Sequence, residues 1–180
     1  MGVRNYLIEG VSGAGKTAVA TELQRRGHQA IHGDRELAYR GDPQTGLRVA
    51  PPTDAPTARW MSEHQVWDVA KVRAYIGSRD EPLTFFCGGS RNFGMFADLL
   101  DGVFVLELDR ETMNRRIEER VARDPTDFGG TSEERALIAE LFATKADVPT
   151  MGIRIDATAP IERVVDDILS KCAKADRKSD

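Results

Sequence analysis

Near the start of the chain stand Gly10, Val11, Ser12, Gly13, Ala14, Gly15, Lys16 and Thr17 in succession, and no other stretch restricts the possible folds as much. Glycine tolerates the backbone conformations that close a loop around an anion, so successive N–H groups can point inward at phosphate oxygens. Lys16 adds a point charge, and the Thr17 hydroxyl stands where a following helix would present its positive end. The spacing is that of Gly, any four residues, Gly, Lys, then Ser or Thr, a loop that cradles the phosphates of a nucleoside triphosphate with Mg²⁺ on the hydroxyl. The competing reading is an ordinary glycine-rich turn. The flanks suit the phosphate reading: Tyr6 to Ile8, with Val3 before them, form a short apolar strand, and Val19, Ala20 and Leu23 make one side of a helix that Gly27 ends. Gly10, Ser12, Gly13, Ala14, Gly15, Lys16 and Thr17 are therefore the expected nucleotide contacts, with Lys16 catalytic and Thr17 a metal ligand.

Beyond the loop, strand and helix patterns alternate. Gln29 to His32 reads as a second strand, and a long stretch from about 36 to 80 follows, turn-rich at Pro43, Gly46, Pro51, Pro52 and Pro56. Its later part, Thr57 to Ile76, predicts a helix. Leu83 to Cys87 and Val103 to Leu108 are buried-strand candidates, each followed by a helical pattern. Thr131 with Glu134 offers a capping box for a helix carrying Leu137, Ile138, Leu141 and Phe142. A last strand, Ile153 to Ile155, leads through a turn to Pro160 and a helix with Ile161, Val164, Val165, Ile168 and Leu169 on one face. The charged tail from Ala173 to Asp180 is expected to fray. This order predicts an α/β fold, a mostly parallel sheet covered by helices on both sides.

With 180 residues, 41% of them apolar and 30% charged, the chain suits one soluble domain. A net charge of -4 has the wrong sign for gripping long nucleic acid. Cys87 and Cys172 make neither a disulfide framework nor a metal cluster. Nothing resembles a signal peptide or the roughly 20 apolar residues that span a bilayer, so the expectation is a cytoplasmic domain, monomer or dimer.

Several side chains are candidates for the chemistry. Asp34 follows the second strand, and the carboxyl ends of parallel strands are where open α/β sheets bind ligands. A carboxylate there can take the proton of an acceptor hydroxyl and can also approach Mg²⁺; the alternative is a turn former. Arg35 beside it is either an acceptor contact or a surface ion pair. In Cys87-Gly88-Gly89-Ser90-Arg91-Asn92, Gly88 lets an acceptor approach the backbone, and Arg91 can reach a phosphate or carboxylate. Cys87 itself reads as a small buried residue. Trp60, His64 and Trp67 recur at helical spacing, as an aromatic wall for a base or ring or as plain core. Along 110–123, Arg116, Arg120 and Arg123 line the edge of a helix whose buried stripe is Met113, Ile117 and Val121. The segment 124–131 after it has the composition of a mobile loop. Arg120 and Arg123 would there neutralise charge on a moving phosphoryl group.

In these motifs the sequence resembles the small phosphate-loop kinases, among them nucleoside monophosphate kinases, shikimate kinase and gluconate kinase. The resemblance implies a five-stranded parallel core at 1–35, 81–123 and 132–172, an acceptor-binding segment at about 36–80 and a lid at about 124–131. It implies ATP or GTP as donor with Mg²⁺. Asp34 stands like the substrate-contacting aspartate of shikimate and gluconate kinases. Gly88 and Arg91 match the Asp-Gly-Phe-Pro-Arg run of monophosphate kinases, while Cys87 replaces its acidic residue. Ala157 and Thr158 fall in the turn where such kinases contact the nucleotide base through backbone atoms. The acceptor is expected to be a small molecule, with a nucleoside favoured because Asp34 would serve a hydroxyl and an aromatic wall would suit a base. Alternatives are a monophosphate held by Arg35, Arg40 and Arg91, or a shikimate- or gluconate-type acceptor. From another class, a non-catalytic nucleotide switch would need a water-positioning residue near the phosphates, and none is visible.

Overall fold

In the computed structural model, which describes residues 3–78 and 80–176, strand β1 (Arg4–Gly10) is the centre of a five-stranded sheet. Tyr6, Leu7 and Ile8 are all buried, the pattern of a strand covered on both faces. The other strands are β2 (Gln29–His32), β5 (Leu83–Cys87), β6 (Gly102–Glu107) and β7 (Ile153–Asp156). They run parallel in the order β2-β5-β1-β6-β7. The register sets Ile8 beside Cys87 and Gly10 beside Leu106, so the loop after β1 emerges at the middle of the sheet's carboxyl edge.

Alternation along the strands divides the core into two faces. Tyr6, Ile8, Phe85 and Phe104 face α1 (Lys16–Arg25) and α7 (Ile161–Asp176), meeting Val19, Leu23, Val165 and Ile168. Leu7, Phe86, Val103 and Val105 face the other way, toward Leu37, Trp67 and Phe96. Helices α5 (Arg110–Arg123) and α6 (Ser132–Thr144) share a third cluster, Met113, Ile117 and Ile138. Asp109 caps α5 through the Thr112 N–H, and Thr131 and Glu134 form the expected capping box on α6. No helix among the described residues is long and apolar enough to cross a membrane.

The excursion between β2 and β5 departs from expectation. Instead of one helix from Thr57 to Ile76, the chain forms α3 (Ala58–Glu63), β4 (Gln65–Trp67) and α4 (Val69–Ser78). The cause is tertiary. β4 pairs antiparallel with β3 (Ala38–Arg40), which follows the single-turn helix α2 (Gly33–Glu36). The Asn92 side chain accepts from the Trp67 N–H and donates to its carbonyl, both at 2.9 Å. A helix would break that two-way clamp and expose Trp67. After β5 the expected helix is replaced by two 3₁₀ turns, Phe93–Met95 and Ala97–Leu99. At the other end α7 runs to Asp176, so the first part of the expected frayed tail is helical. The rest of that tail lies outside the described residues.

Candidate functional site

At the carboxyl edge lies an open cleft of about 1170 Å³, bounded by the loop after β1, by α2, by the segment after β5 and by α5. Gly13 and Gly15 take positive φ, +81° and +99°, which an L side chain rarely adopts. A methyl group on Gly10 would sit 2.9 Å from the Leu106 carbonyl oxygen, so the loop can start its turn against β6 only without a side chain. Helix α1 begins at Lys16, and Thr17 is exposed in its first turn on the cleft wall. The Lys16 ammonium donates to the carbonyls of Gly10 and Val11, closing the loop on itself.

Beneath the loop is a residue that pattern reading passed over. Glu9 is 3% exposed, accepts from the Gly10 N–H at 3.0 Å and lies 4.0 Å from Lys16 Nζ. Burial pushes its carboxyl up to about 8, against the opposing pull of Lys16 and the Gly10 N–H. Its sequence signal was a charged residue closing an apolar strand immediately before the glycines. Across the cleft, Asp34 sits on α2. Its Oδ1 accepts from the Gly89 N–H and from Gln65 Nε2, each at 3.1 Å, while Oδ2 makes no hydrogen bond among the described residues. Gln65 was not singled out from sequence, because its place follows from β4. Gly88 stands behind Asp34: a methyl group there would come within 2.7 Å of Oδ1.

The arginines divide. Arg35 lines the cleft, exposed, with no hydrogen bond or ion pair among the described residues. Arg40 donates to the Met61 carbonyl and to Gln65, and Arg91 donates from Nε to the Ser62 carbonyl at 2.9 Å. Both therefore brace one wall of the cleft while lining it. On α5, Arg116 reaches the Ala157 carbonyl at 2.7 Å and the Ala14 carbonyl at 3.3 Å. It thus connects the loop with the turn after β7. Arg120 donates to Ser12 Oγ at 3.2 Å and to the Phe128 carbonyl. Arg123 donates to the Glu119 carbonyl one turn back and reaches the cleft rim. Ala157 is buried and lines the cleft. Thr158 is spent on its own turn, bonding Asp156 through N–H and hydroxyl.

The expected aromatic wall does not form. Trp60 and His64 stack on each other, centroids 4.3 Å apart, away from the cleft lining. Trp67 is fully buried and stacks on Phe96, because it belongs to β4 rather than to a helix shared with the other two. Cys87 is buried beside Ile8, and desolvation pushes its thiol up, away from thiolate reactivity. Helix α6 meets α3, where Glu133 accepts from the Ala58 N–H and Glu140 pairs with Arg59 at 2.6 Å.

Among solved structures the chain is similar to shikimate kinase from Acinetobacter baumannii, with a TM-score of 0.56 at 16% identity over 96% of this chain and 94% of that one. A sugar kinase from Janibacter sp. HTCC2649 gives 0.54 at 18% over 93% of each, and a gluconokinase from Sinorhizobium meliloti 1021 gives 0.50 at 18% over 96% and 93%. The chain has the phosphate-loop kinase fold. The family likeness expected from the loop thus holds for the architecture. No family model matches the sequence. A stretch of 46 residues is 50% identical to HPr kinase/phosphorylase from Lacticaseibacillus casei (strain BL23), covering 26% of this chain and 14% of that protein; the likeness is to a small part of that relative.

Kinases of this fold work on metal–nucleotide complexes, so the oxygen donors matter. Among the described residues no group of three or more His, Cys, Asp or Glu side chains could hold a metal ion by itself. What the phosphate-loop kinase fold gathers here is the Thr17 hydroxyl and the carboxylates of Asp34 and Glu9, all lining one cleft. Such a set of hard oxygens fits Mg²⁺, which keeps several waters and takes much of its shell from phosphates.

Proposed function

We propose that the chain transfers the γ-phosphoryl group of ATP or GTP to a hydroxyl of a small polar molecule. The observation that carries this reading is the state of Asp34. Two N–H donors converge on its Oδ1, leaving Oδ2 without a bond among the described residues in the cleft that Lys16 and the loop share. A carboxylate fixed in that way can accept the acceptor's hydroxyl proton as the new O–P bond forms and the bond to the β-phosphate oxygen breaks. The loop N–H groups and Lys16 would hold the β- and γ-phosphates, Lys16 giving up its carbonyl partners to do so. Arg120, already on Ser12, and Arg123 would take up charge on the moving group. Thr17, with Asp34 near it, would hold Mg²⁺, which spreads the charge developing on the phosphate oxygens.

On the acceptor side the reading shifts. Without the aromatic wall, the support for a nucleoside is the hydroxyl chemistry of Asp34 alone. The polar side chains that line this end are Asp34, Arg35, Arg40, Gln65, Ser90 and Arg91, beside the apolar Pro56, Ala58 and Met61, and the Arg35 guanidinium has no partner among the described residues. That favours a polyhydroxylated acceptor carrying an anionic group, of the gluconate or shikimate kind, over a nucleoside. The test is incubation with Mg²⁺, ATP or GTP and a panel of sugar acids, cyclic hydroxy acids, nucleosides and monophosphates, followed by mass analysis for a phosphorylated acceptor. Asp34→Asn is expected to lower turnover by about 10²- to 10⁴-fold with nucleotide affinity kept. Absence of any phosphorylated acceptor, or near-normal turnover of Asp34→Asn, would refute the assignment of the base.

A further inference from the structure

Glu9 has no part in the transfer just described, yet its position is demanding. It is the last side chain of the sheet's central strand before the loop, and it is 3% exposed while lining the cleft. A buried carboxylate is costly unless it is paired or meets a cation. Here Oε1 accepts one backbone N–H, from Gly10, and Oε2 makes no hydrogen bond among the described residues. Lys16 stays 4.0 Å away, with its ammonium turned to the carbonyls of Gly10 and Val11.

A second carboxylate faces the same space. The Gly89 N–H bonds Asp34 Oδ1, and a methyl group on Gly89 would lie 3.1 Å from Glu9 Oε1, so the two acids flank one glycine. A side chain there would crowd Glu9. Asp147 adds to the negative potential at Glu9, and its own Oδ1 is buried without a hydrogen-bond partner. Glu9, Asp34 and Asp147 thus bring negative charge to the cleft beside the loop, with Lys16 4.0 Å from Glu9. Strand β5 ends there in a buried thiol, Cys87, and contributes no charge.

We propose that Glu9 holds, through bound water, the divalent cation that accompanies the nucleotide phosphates. The inference rests on the nucleotide reading above and adds an acidic residue supplied by β1. A carboxylate recessed beneath the loop suits the outer shell of a small cation that dehydrates reluctantly. Glu9 would then share with Asp34 the charge offered to the cation, while Asp34 keeps Oδ2 for the acceptor's proton.

The experiment is Mn²⁺ binding, followed by electron paramagnetic resonance, to the protein saturated with a non-transferable ATP analogue. Glu9→Gln keeps the shape and the acceptor for the Gly10 N–H, and is expected to weaken Mn²⁺ binding by roughly 10- to 100-fold. Affinity for the analogue without metal should stay the same or tighten. Glu9→Asp, which keeps the charge, should bind Mn²⁺ between the two. Equal Mn²⁺ affinity in the wild type and Glu9→Gln overturns the inference while leaving nucleotide binding standing. So does a loss of metal-free analogue binding that matches the loss of Mn²⁺, since that marks Glu9 as a support of the loop. A wild-type protein that binds no analogue at all refutes the nucleotide reading, and this inference falls with it.

Discussion

Gly33→Ala joins the packing of the second core face to the placement of Asp34. A methyl group at Gly33 would come 2.5 Å from Cη2 and 2.7 Å from Cε2 of Trp67, with Cζ2 closer still, where carbon atoms prefer about 3.5–4.0 Å. The indole has nowhere to retreat. It is fully buried, lies 5.7 Å from the Phe96 ring at 9° to it, and its backbone is held on both sides by Asn92. Overpacking of this kind costs about 1–3 kcal/mol. For a domain of this size each kcal/mol lowers Tm by about 2–4 °C, so the variant should melt about 2–12 °C below the wild type. Gly77→Ala is the control: it lies on α4 and a methyl group there meets nothing within 4 Å. Removing a helical glycine at such a site should stabilise by about 0.5–1 kcal/mol. Urea and thermal melts of the two variants give the comparison. A Gly33→Ala protein melting at or above the wild-type temperature would refute the claim that Trp67 fixes the floor under Asp34. Because Asp34 is the next residue, the same variant should lose turnover even at temperatures where it is fully folded.

Two carboxyl groups should pull the pH dependence of stability in opposite directions. Glu22 accepts side-chain hydrogen bonds from Arg25 and Arg26, which hold it down at about 2 against an ordinary 4.5. Its contribution is thus complete above about 4.5 and lost as pH falls toward 2; urea midpoints of Glu22→Gln should be flatter over that window. Glu9, pushed up to about 8 by burial, makes the ligand-free protein less stable as pH rises from about 4.5 to 8, a slope Glu9→Gln should abolish. Arg35→Gln should raise KM for an anionic acceptor while leaving that for the nucleotide unchanged, since this guanidinium has no partner to lose among the described residues. Arg91→Ala should instead lower Tm, because it removes the bonds to Ser62 that brace the wall.

The loop was legible because binding phosphate with backbone N–H groups dictates which residues can stand there, and Gly13 and Gly15 adopt the positive φ that the reading demanded. Asp34 was legible from topology alone, since strand order decides which loops meet at the carboxyl edge. Trp60, His64 and Trp67 misled because a spacing of four and three satisfies a helix face whether or not one helix carries all three. What assigns Trp67 to a strand is Asn92, distant in sequence, and no local pattern announces such a clamp. Glu9 was overlooked for the opposite reason. Its neighbour residues so fully explained the segment as strand and loop that a lone charge at the junction drew no notice.

The bonds from Ala58 to Glu133 and from Arg59 to Glu140 join the excursion that carries α3 to α6, the helix that follows the segment 124–131. Two segments that line one cleft are thereby tied to each other, through Ala58 and Glu133 within its lining. Exposed bonds of this sort are screened by solvent and individually weak, so the tie holds loosely. On the kinase reading proposed above, the tie would surface in the order of addition: the substrate seated first would bias the entrance met by the second.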